Sequence, residues 1–228
     1  MRFDDLNWMD IEAYLEQEDR LILVLGACEQ HGYLSLTTDV KIPLALADAV
    51  SQKTGILVVP PVNFGISPYF LSYPGTISLR VSTFLDLVGD MVRSIYSQGF
   101  RRLLVLNGHG GNDAVRNHLV ELANELDGLK FAWYAWWLSH SVEQVANQHG
   151  IKPTHANWLE AFPFTRVGEL PDEEKNVSTP RRLLNSEETR QYYQDGSFGG
   201  RYAVDSEIME EVFAAILEDA LYLAEFNE

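Results

Sequence analysis

Short apolar runs alternate along this chain with longer stretches in which apolar residues recur at helical spacing. A run of about four or five apolar residues is typical of a strand that is buried on both faces of a parallel sheet. The predicted strands are Leu21–Leu25, Ile56–Val59, Thr76–Leu79, Arg102–Leu106 and Phe131–Trp137. Because strands alternate with helices, we expect an α/β fold, namely a three-layer α/β/α sandwich with a mostly parallel central sheet.

Helical spacing of apolar residues fills most of the chain between these strands. The predicted helices are Asn7–Leu15, Ile42–Lys53, Ser82–Gln98, Asn112–Leu126, Leu138–Gln148 and Asp205–Phe226. A further helix is predicted to begin after Thr154, whose hydroxyl would cap it. Residues 169–184 are polar and contain two prolines, so we expect an irregular excursion at the surface.

The chain has 228 residues, enough for one compact α/β domain, and no stretch is typical of an interdomain linker. We therefore predict a single domain over residues 1–228. The formal net charge of −16 disfavours nucleic acid and anionic membrane surfaces as partners. With one cysteine, no signal-peptide pattern in the first residues and no apolar run near the roughly 20 residues that span a bilayer, we expect a soluble cytoplasmic protein.

Potential metal ligands follow two of the predicted strands. Glu29, His31 and Asp39 come after Leu21–Leu25, and His109 comes directly after Arg102–Leu106. In open α/β sheets, ligands bind in the crevice outside the carboxyl ends of the strands. If the two strands are neighbours, the four side chains converge on one spot.

Carboxylates and imidazoles without a thiolate form a donor set that suits Zn²⁺ or Mn²⁺, with Fe²⁺ as a further candidate. Two ions could share the set if Asp39 bridges them, and together they would acidify a water molecule. For any one residue alone, a helix cap or a hydrogen bond to a neighbouring amide is the more common role. Convergence at two strand ends favours the metal hypothesis.

The long loop over residues 60–74 is rich in proline, glycine and aromatic residues, and loops of this kind commonly line binding sites. We predict substrate contacts from Ser67 and Tyr69 in this loop, from Gly110 after His109, and from Trp136 at the end of the aromatic strand. The alternatives are that the loop aromatics only pack beneath the loop, and that the tryptophans pack a subunit interface.

Four ordered motifs in this sequence resemble those of the creatininase family of metal-dependent amidohydrolases. They are GACEQHGYLSLTTD at Gly26–Asp39, YPGT at Tyr73–Thr76, NGHGGN at Asn107–Asn112, and His155 followed by Glu160. The order and spacing of the motifs extend the resemblance over about residues 20–165. Four ordered motifs are far more specific than any one of them.

The resemblance implies an α/β/α fold, a hexameric homo-oligomer and a binuclear zinc or manganese centre that hydrolyses a C–N bond in a cyclic or linear amide. Carried over to this chain, Glu29, Asp39 and His109 would hold one ion, and His31, Asp39 and Glu160 the other. Creatininase itself has a carboxylate directly after NGH, whereas members with NGHGGN use the later glutamate, here Glu160.

His155 is the unassigned histidine within these motifs, and we predict that it carries a proton to the leaving nitrogen, because imidazole titrates near neutral pH. The alternative is that His155 only bonds a carbonyl at a helix N-terminus.

Two departures from the family pattern leave the substrate open. The loop after EQHG lacks the family's second histidine and is one residue shorter, and the family's HAGE stretch is HANW here. A small-molecule amide is the expected substrate. The alternatives are a noncatalytic ligand-binding or assembly protein that keeps the fold, and a phosphatase or isomerase. The last would need a basic pocket, but only scattered basic residues lie near the motifs: Lys41, Arg80 and Arg116.

Overall fold

A computed structural model of the protein describes residues 1–227, and a parallel β-sheet lies at its centre. The strands are β1 (Arg20–Leu25), β2 (Leu57–Val58), β3 (Arg102–Asn107) and β4 (Lys130–Ala135). Their order in the sheet is β2-β1-β3-β4, and every neighbouring pair is parallel. The predicted adjacency of the two ligand-bearing strands is confirmed, because β1 pairs with β3 from Arg20–Arg102 to Leu25–Asn107.

Within residues 1–227, seven α-helices surround this sheet. They are α1 (Trp8–Leu15), α2 (Thr38–Thr54), α3 (Val81–Gln98), α4 (Val115–Glu125), α5 (His140–Gln148), α6 (Ser186–Tyr193) and α7 (Ser206–Ala224). None of the helices in this part of the chain has the length and apolar character needed to cross a lipid bilayer.

The alternation of side chains along β1 separates two hydrophobic cores. Ile22 and Val24 pack on one face of the sheet with α2, α5 and α7. Leu21, Leu23 and Leu25 pack on the other face with α3 and α4. Successive side chains of a strand point to opposite faces, so a strand covered on both sides must be apolar throughout. The predicted α/β three-layer architecture is confirmed.

Helix α2 begins four residues earlier than the predicted Ile42, and this places Asp39 in its first turn. Pro43 therefore lies in the second turn, where its missing N–H removes the helical hydrogen bond to the carbonyl of Asp39. The predicted strand Thr76–Leu79 is wrong, since this stretch forms only an isolated bridge between Ile77 and Cys28.

The predicted α-helix after Thr154 is also wrong. The Thr154 hydroxyl donates to the carbonyl of Gly199, and the chain forms only a 3-10 turn over Trp158–Glu160. Asn157 caps this turn by accepting from the N–H of Leu159. Helix α6 was not predicted, because its sequence is strongly polar and shows few apolar residues at helical spacing. Its start is marked by a capping box between Asn185 and Glu188.

Candidate metal centre

The candidate ligands meet at the carboxyl edge of the sheet, where four separate segments end or begin. Glu29 and His31 lie in the loop after β1, Asp39 in the first turn of α2, and His109 two residues after β3. Glu160 arrives from the far side, at the end of the 3-10 turn. All five side chains are buried, Glu160 being the most exposed at 8%.

Two sets of three donors share Asp39. One set is Glu29, Asp39 and His109, and the other is His31, Asp39 and Glu160; in each set the donor atoms lie within 4.8 Å of one another. Asp39 Oδ2 is 2.8 Å from His109 Nδ1, and Asp39 Oδ1 is 2.9 Å from His31 Nε2. Each set thus combines two carboxylates with one imidazole, the donors that suit zinc and manganese.

The backbone holds both imidazoles so that one nitrogen faces the carboxylates. His109 Nε2 lies 2.8 Å from the carbonyl of Ile66, to which it donates, and Nδ1 is left facing Glu29 and Asp39. His31 Nδ1 lies 3.3 Å from the carbonyl of Glu29, and Nε2 is left facing Asp39 and Glu160. Histidines that bind metals are usually oriented in this way by a hydrogen bond from the opposite nitrogen.

Several donor atoms in the centre have no hydrogen bond of their own. Within residues 1–227, these buried atoms include Glu29 Oε2, His31 Nε2 and Asp39 Oδ2. His31 Nε2 faces Asp39 Oδ1, and Asp39 Oδ2 faces His109 Nδ1, but neither pair has the alignment of a hydrogen bond. A buried polar atom without a partner costs about 1–3 kcal/mol. A cation between these atoms would supply the missing partner, so the residues fit a metal.

The buried charges shift the ionisation of these groups strongly. Burial lowers the pKa of His31, but Asp39 and Glu160 outweigh it and hold that pKa well above its ordinary value. His109 behaves in the same way beside Glu29 and Asp39. Burial raises the pKa of Asp39, but the two imidazoles hold it well below its usual range. The centre therefore carries concentrated negative charge that positive partners stabilise.

His155 lies beside the centre, packed among aromatic rings. Phe70 stacks on its imidazole with ring centroids 4.9 Å apart, and His31 and Phe198 pack against it at 4.6 and 4.8 Å. Burial, followed by the charge of His31, lowers the pKa of His155 to about 4. The predicted role as a proton carrier was based on titration near neutral pH, and this shift removes that reason.

A cavity of about 800 Å³ opens above the centre. Ser67, Tyr69 and Gly110 line it, together with Glu29, Asp39, His109, His155 and Glu160. Trp136 is not among the lining residues. It is 1% exposed and packs in the core against Phe162, because the chain turns after β4 and presents Trp137 to the cavity instead. The predicted contact from Trp136 is therefore contradicted by its burial, and Trp137 is the tryptophan that lines the cavity.

The sequence did not indicate that several other residues line the cavity. Part of the predicted surface excursion folds over the cavity and contributes residues between Ser178 and Leu184. Lys175 anchors this segment through the carbonyl of Ser197 and the carboxylate of Asp195. The sequence of this segment is polar and irregular, so it does not predict that the segment lies over the cavity. Phe198, from a glycine-rich turn, lines the cavity as well.

The protein-family model described as "Creatininase: Creatinine amidohydrolase" matches residues 4–223 of this chain. Creatinine amidohydrolase of Pseudomonas putida is 34% identical over 52% of this chain and 48% of its own length. The 3-dehydro-scyllo-inosose hydrolase of Thermotoga maritima is 32% identical over 47% of this chain and 35% of its own. Mycofactocin precursor peptide peptidase of Mycolicibacterium smegmatis is 35% identical over 40% of each chain. The matched stretch thus spans less than half the length of these curated relatives.

Solved structures of creatininases have the same fold. A creatinine amidohydrolase matches 98% of this chain and 96% of its own with a TM-score of 0.85 at 22% identity. Creatininases described as a manganese form and as a mutant of Zn-Zn type match 98% of this chain and 97% of their own, with TM-scores of 0.81 and 0.82 at 22% identity. Since the family match covers nearly all of the sequence, the chain belongs to the creatininase family.

Proposed function

We propose that this protein is a metal-dependent amidohydrolase that cleaves a C–N bond of a cyclic or linear amide with water activated at a binuclear centre. The observation that carries the proposal is the pair of three-donor sets that share Asp39 in a cavity of about 800 Å³. The family and the manganese and zinc forms of its solved structures support it.

In this proposal, Glu29, Asp39 and His109 hold one ion, and His31, Asp39 and Glu160 hold the other. Such a pair of ions would lower the pKa of a bound water to near neutrality and would polarise the substrate carbonyl as a Lewis acid. The carbonyls of Ile66 and Glu29 keep the two imidazoles in the orientation that binding requires. Zinc or manganese is the preferred occupant, and iron(II) has the same ligand preference.

The cavity walls combine apolar and polar surfaces. Phe70, Trp137 and Phe198 exclude water and contact the apolar part of a substrate, while Ser67 and Gly110 lie beside His109. A site of this size accommodates a drug-sized molecule. The named relatives act on creatinine, on an inosose and on a precursor peptide. An inosose has no amide bond, so the amide class is proposed from the family and from the other two relatives, and only as an amide of small-molecule or short-peptide size.

The proposal is tested by elemental analysis of the purified protein, removal of metal with a chelator, and reloading with Zn²⁺ or Mn²⁺. Hydrolysis of cyclic amides, formamides, lactams and short peptides is measured at each stage. His31→Asn should lose metal and turnover. His140→Asn is the matched control, since His140 lies exposed on α5 and should leave both unchanged. Full activity of the metal-stripped protein would refute the proposal.

The homo-oligomer implied by the family stays a prediction, with a hexamer as the expected form. Several large apolar side chains are exposed, among them Leu138, Leu183 and Tyr222, each more than two-thirds accessible. Light scattering at micromolar concentration measures the assembly directly, and a monomer would contradict the prediction.

A further inference from the structure

Gln30 lies between two candidate ligands in the sequence, yet its side chain belongs to neither donor set. It is 5% exposed, and both ends of its amide contact the backbone. Oε1 accepts from the N–H of Gly32 at 3.0 Å, and Nε2 donates to the carbonyl of Gly196 at 3.1 Å. If the amide were flipped, its oxygen would face the carbonyl oxygen of Gly196 and its NH₂ group would face the N–H of Gly32. The backbone therefore fixes which end of the Gln30 amide is the donor.

The same Nε2 of Gln30 lies 3.0 Å from His155 Nε2. An amide nitrogen can only donate, so the imidazole nitrogen that faces it must accept. A proton on His155 Nε2 would point at the amide hydrogens. The neutral ring then carries its proton on Nδ1, the nitrogen that lies 3.9 Å from Glu29 Oε1.

We propose that Gln30 is a positioning residue that holds His155 in the Nδ1–H tautomer and so presents a hydrogen-bond donor to the candidate metal centre. The tautomer follows from the hydrogen bonds alone, whereas its catalytic consequence depends on the proposed function. A ring with its proton on Nδ1 has no lone pair there for a metal. The third donor set, Glu29, His31 and His155, is thus not a metal site in this tautomer.

The consequence for hydrolysis is a change of role for His155. A neutral imidazole that donates from a fixed position stabilises an oxygen on which negative charge develops, and it keeps its proton while doing so. His155 would donate this hydrogen bond to the substrate carbonyl oxygen. Carrying the proton to the leaving nitrogen would then fall to another group.

The Gln30 amide packs directly against Gly196, where only a glycine leaves room for it. A Cβ at Gly196 would lie 1.7 Å from Gln30 Oε1, and the residue has φ +94°, which favours glycine. The same turn holds His155, because the N–H of Phe198 donates to its carbonyl at 3.0 Å. Phe70, stacked on the imidazole at 4.9 Å between ring centroids, fixes the plane of the ring beside the Gln30 amide.

Nitrogen NMR of histidine-labelled protein, loaded with diamagnetic Zn²⁺, tests the tautomer. Signals of His155 are identified by their absence in His155→Gln. The proposal expects a protonated Nδ1 and an unprotonated Nε2 in the wild type. Gln30→Glu replaces the donor by a carboxylate, so the proton should move to Nε2. A wild-type spectrum with the proton on Nε2 overturns the proposal without any variant.

Kinetics then separate positioning from packing. Gln30→Glu should keep the metal content, lower kcat by about 10- to 100-fold and change KM little, as for other residues that orient a group at the site. Gln144→Glu is the matched control, because Gln144 contacts the exposed His140 on α5 at 3.0 Å. It should shift only the His140 signals and leave kcat unchanged. An unchanged kcat in Gln30→Glu overturns the positioning role.

Failure of this inference is distinguishable from failure of the proposed function. Amide hydrolysis by a protein whose His155 is protonated on Nε2 overturns the role of Gln30 and leaves the proposed function intact. The expected tautomer in a protein that binds no metal and hydrolyses no amide supports the tautomer assignment and overturns the proposed function.

Discussion

The backbone N–H of Ala156 donates a 2.6 Å hydrogen bond to Glu160 Oε2, while Glu160 Oε1 lies 3.6 Å from His31 Nε2. Ala156 has φ +53°, a left-handed conformation that is uncommon for a residue other than glycine. The chain therefore reverses between His155 and Glu160. Five positions apart on a continuous helix, these two side chains would point to different faces, whereas here both line the cavity.

Glu160→Gln is expected to release one of the two proposed ions and most of the turnover. The glutamine oxygen can still accept from Ala156, so the local backbone keeps its shape while the anionic ligand is lost. Metal content per chain, measured by elemental analysis after gel filtration, checks this prediction. Glu143→Gln on α5 is the control, since the Glu143 side chain is 68% exposed. A Glu160→Gln protein with both ions and a normal rate would show that Glu160 is no ligand.

Two adjacent glycines should differ sharply in their tolerance of alanine. A Cβ at Gly111 would lie 1.8 Å from the carbonyl oxygen of Ile66, the group that orients His109, whereas a Cβ at Gly110 meets only Trp137 at 4.0 Å. Gly111→Ala must displace that carbonyl, and we expect metal affinity to fall by about 10- to 100-fold. Gly110→Ala should bind metal normally. Equal affinities in competition with a chromophoric chelator would contradict the account.

Asn112 should contribute to stability because it joins three loops at the centre. Its Oδ1 accepts from the N–H of Ile66, and its Nδ2 donates to the carbonyl of Gly26. Asn112→Ala leaves both buried groups unpaired, at a cost of about 1–3 kcal/mol for each in the free energy of unfolding. Urea unfolding of the metal-free protein measures this loss. Asn117→Ala, at an exposed position on α4, should unfold like the wild type.

Metal binding should release protons, and it should weaken as the pH falls. In the metal-free protein, Asp39 and Glu160 beside His31, and Glu29 and Asp39 beside His109, hold the pKa of both imidazoles well above the ordinary value, so both rings keep their protons to a higher pH than a free imidazole does. An ion must displace these protons to reach the nitrogen lone pairs. Calorimetric titration in buffers of different ionisation enthalpy counts the protons released. His31→Asn should release fewer, and binding without proton release would contradict the prediction.

The same shifts fix the sign of the pH effect on folding. A pKa that is higher in the folded than in the unfolded state stabilises the fold below the unfolded value, and this stabilisation is lost as the pH rises through the folded value. The metal-free protein should therefore lose the contribution of His31 and His109 above neutral pH. Melting temperatures of metal-free and metal-loaded protein should diverge as the pH rises.

The sequence was sufficient to predict the two central strands and the candidate ligands that the structure brings together after them. An apolar run of five residues is typical of a strand that is buried on both faces, and because β1 and β3 are parallel neighbours, Glu29, His31 and His109 lie at one edge of the sheet. The start of α2 was predicted four residues late, because Pro43 disguised a helix that already includes Asp39.

What the sequence could not supply depends on contacts between distant segments. The left-handed Ala156 and the turn that brings Glu160 to His31 depend on tertiary packing and override the helical pattern of residues 154–160. Trp136 and Trp137 are identical side chains at adjacent positions, and the turn after β4 determines which of them packs in the core. The lowered pKa of His155 results from its burial and from the charge of His31, which lies far away in the sequence.

The proposed amide hydrolysis depends on metal ions that the two donor sets sharing Asp39 would hold. The most direct measurement is a titration of metal-stripped protein with Zn²⁺ or Mn²⁺ in which bound metal and hydrolysis of a substrate amide are followed in the same sample. We expect two ions to bind per chain, with no hydrolysis at the start of the titration and the full rate only when both ions are bound. The proposed function would be contradicted if hydrolysis ran at its full rate before any ion was added, or if the rate reached its maximum while no metal was bound to the protein.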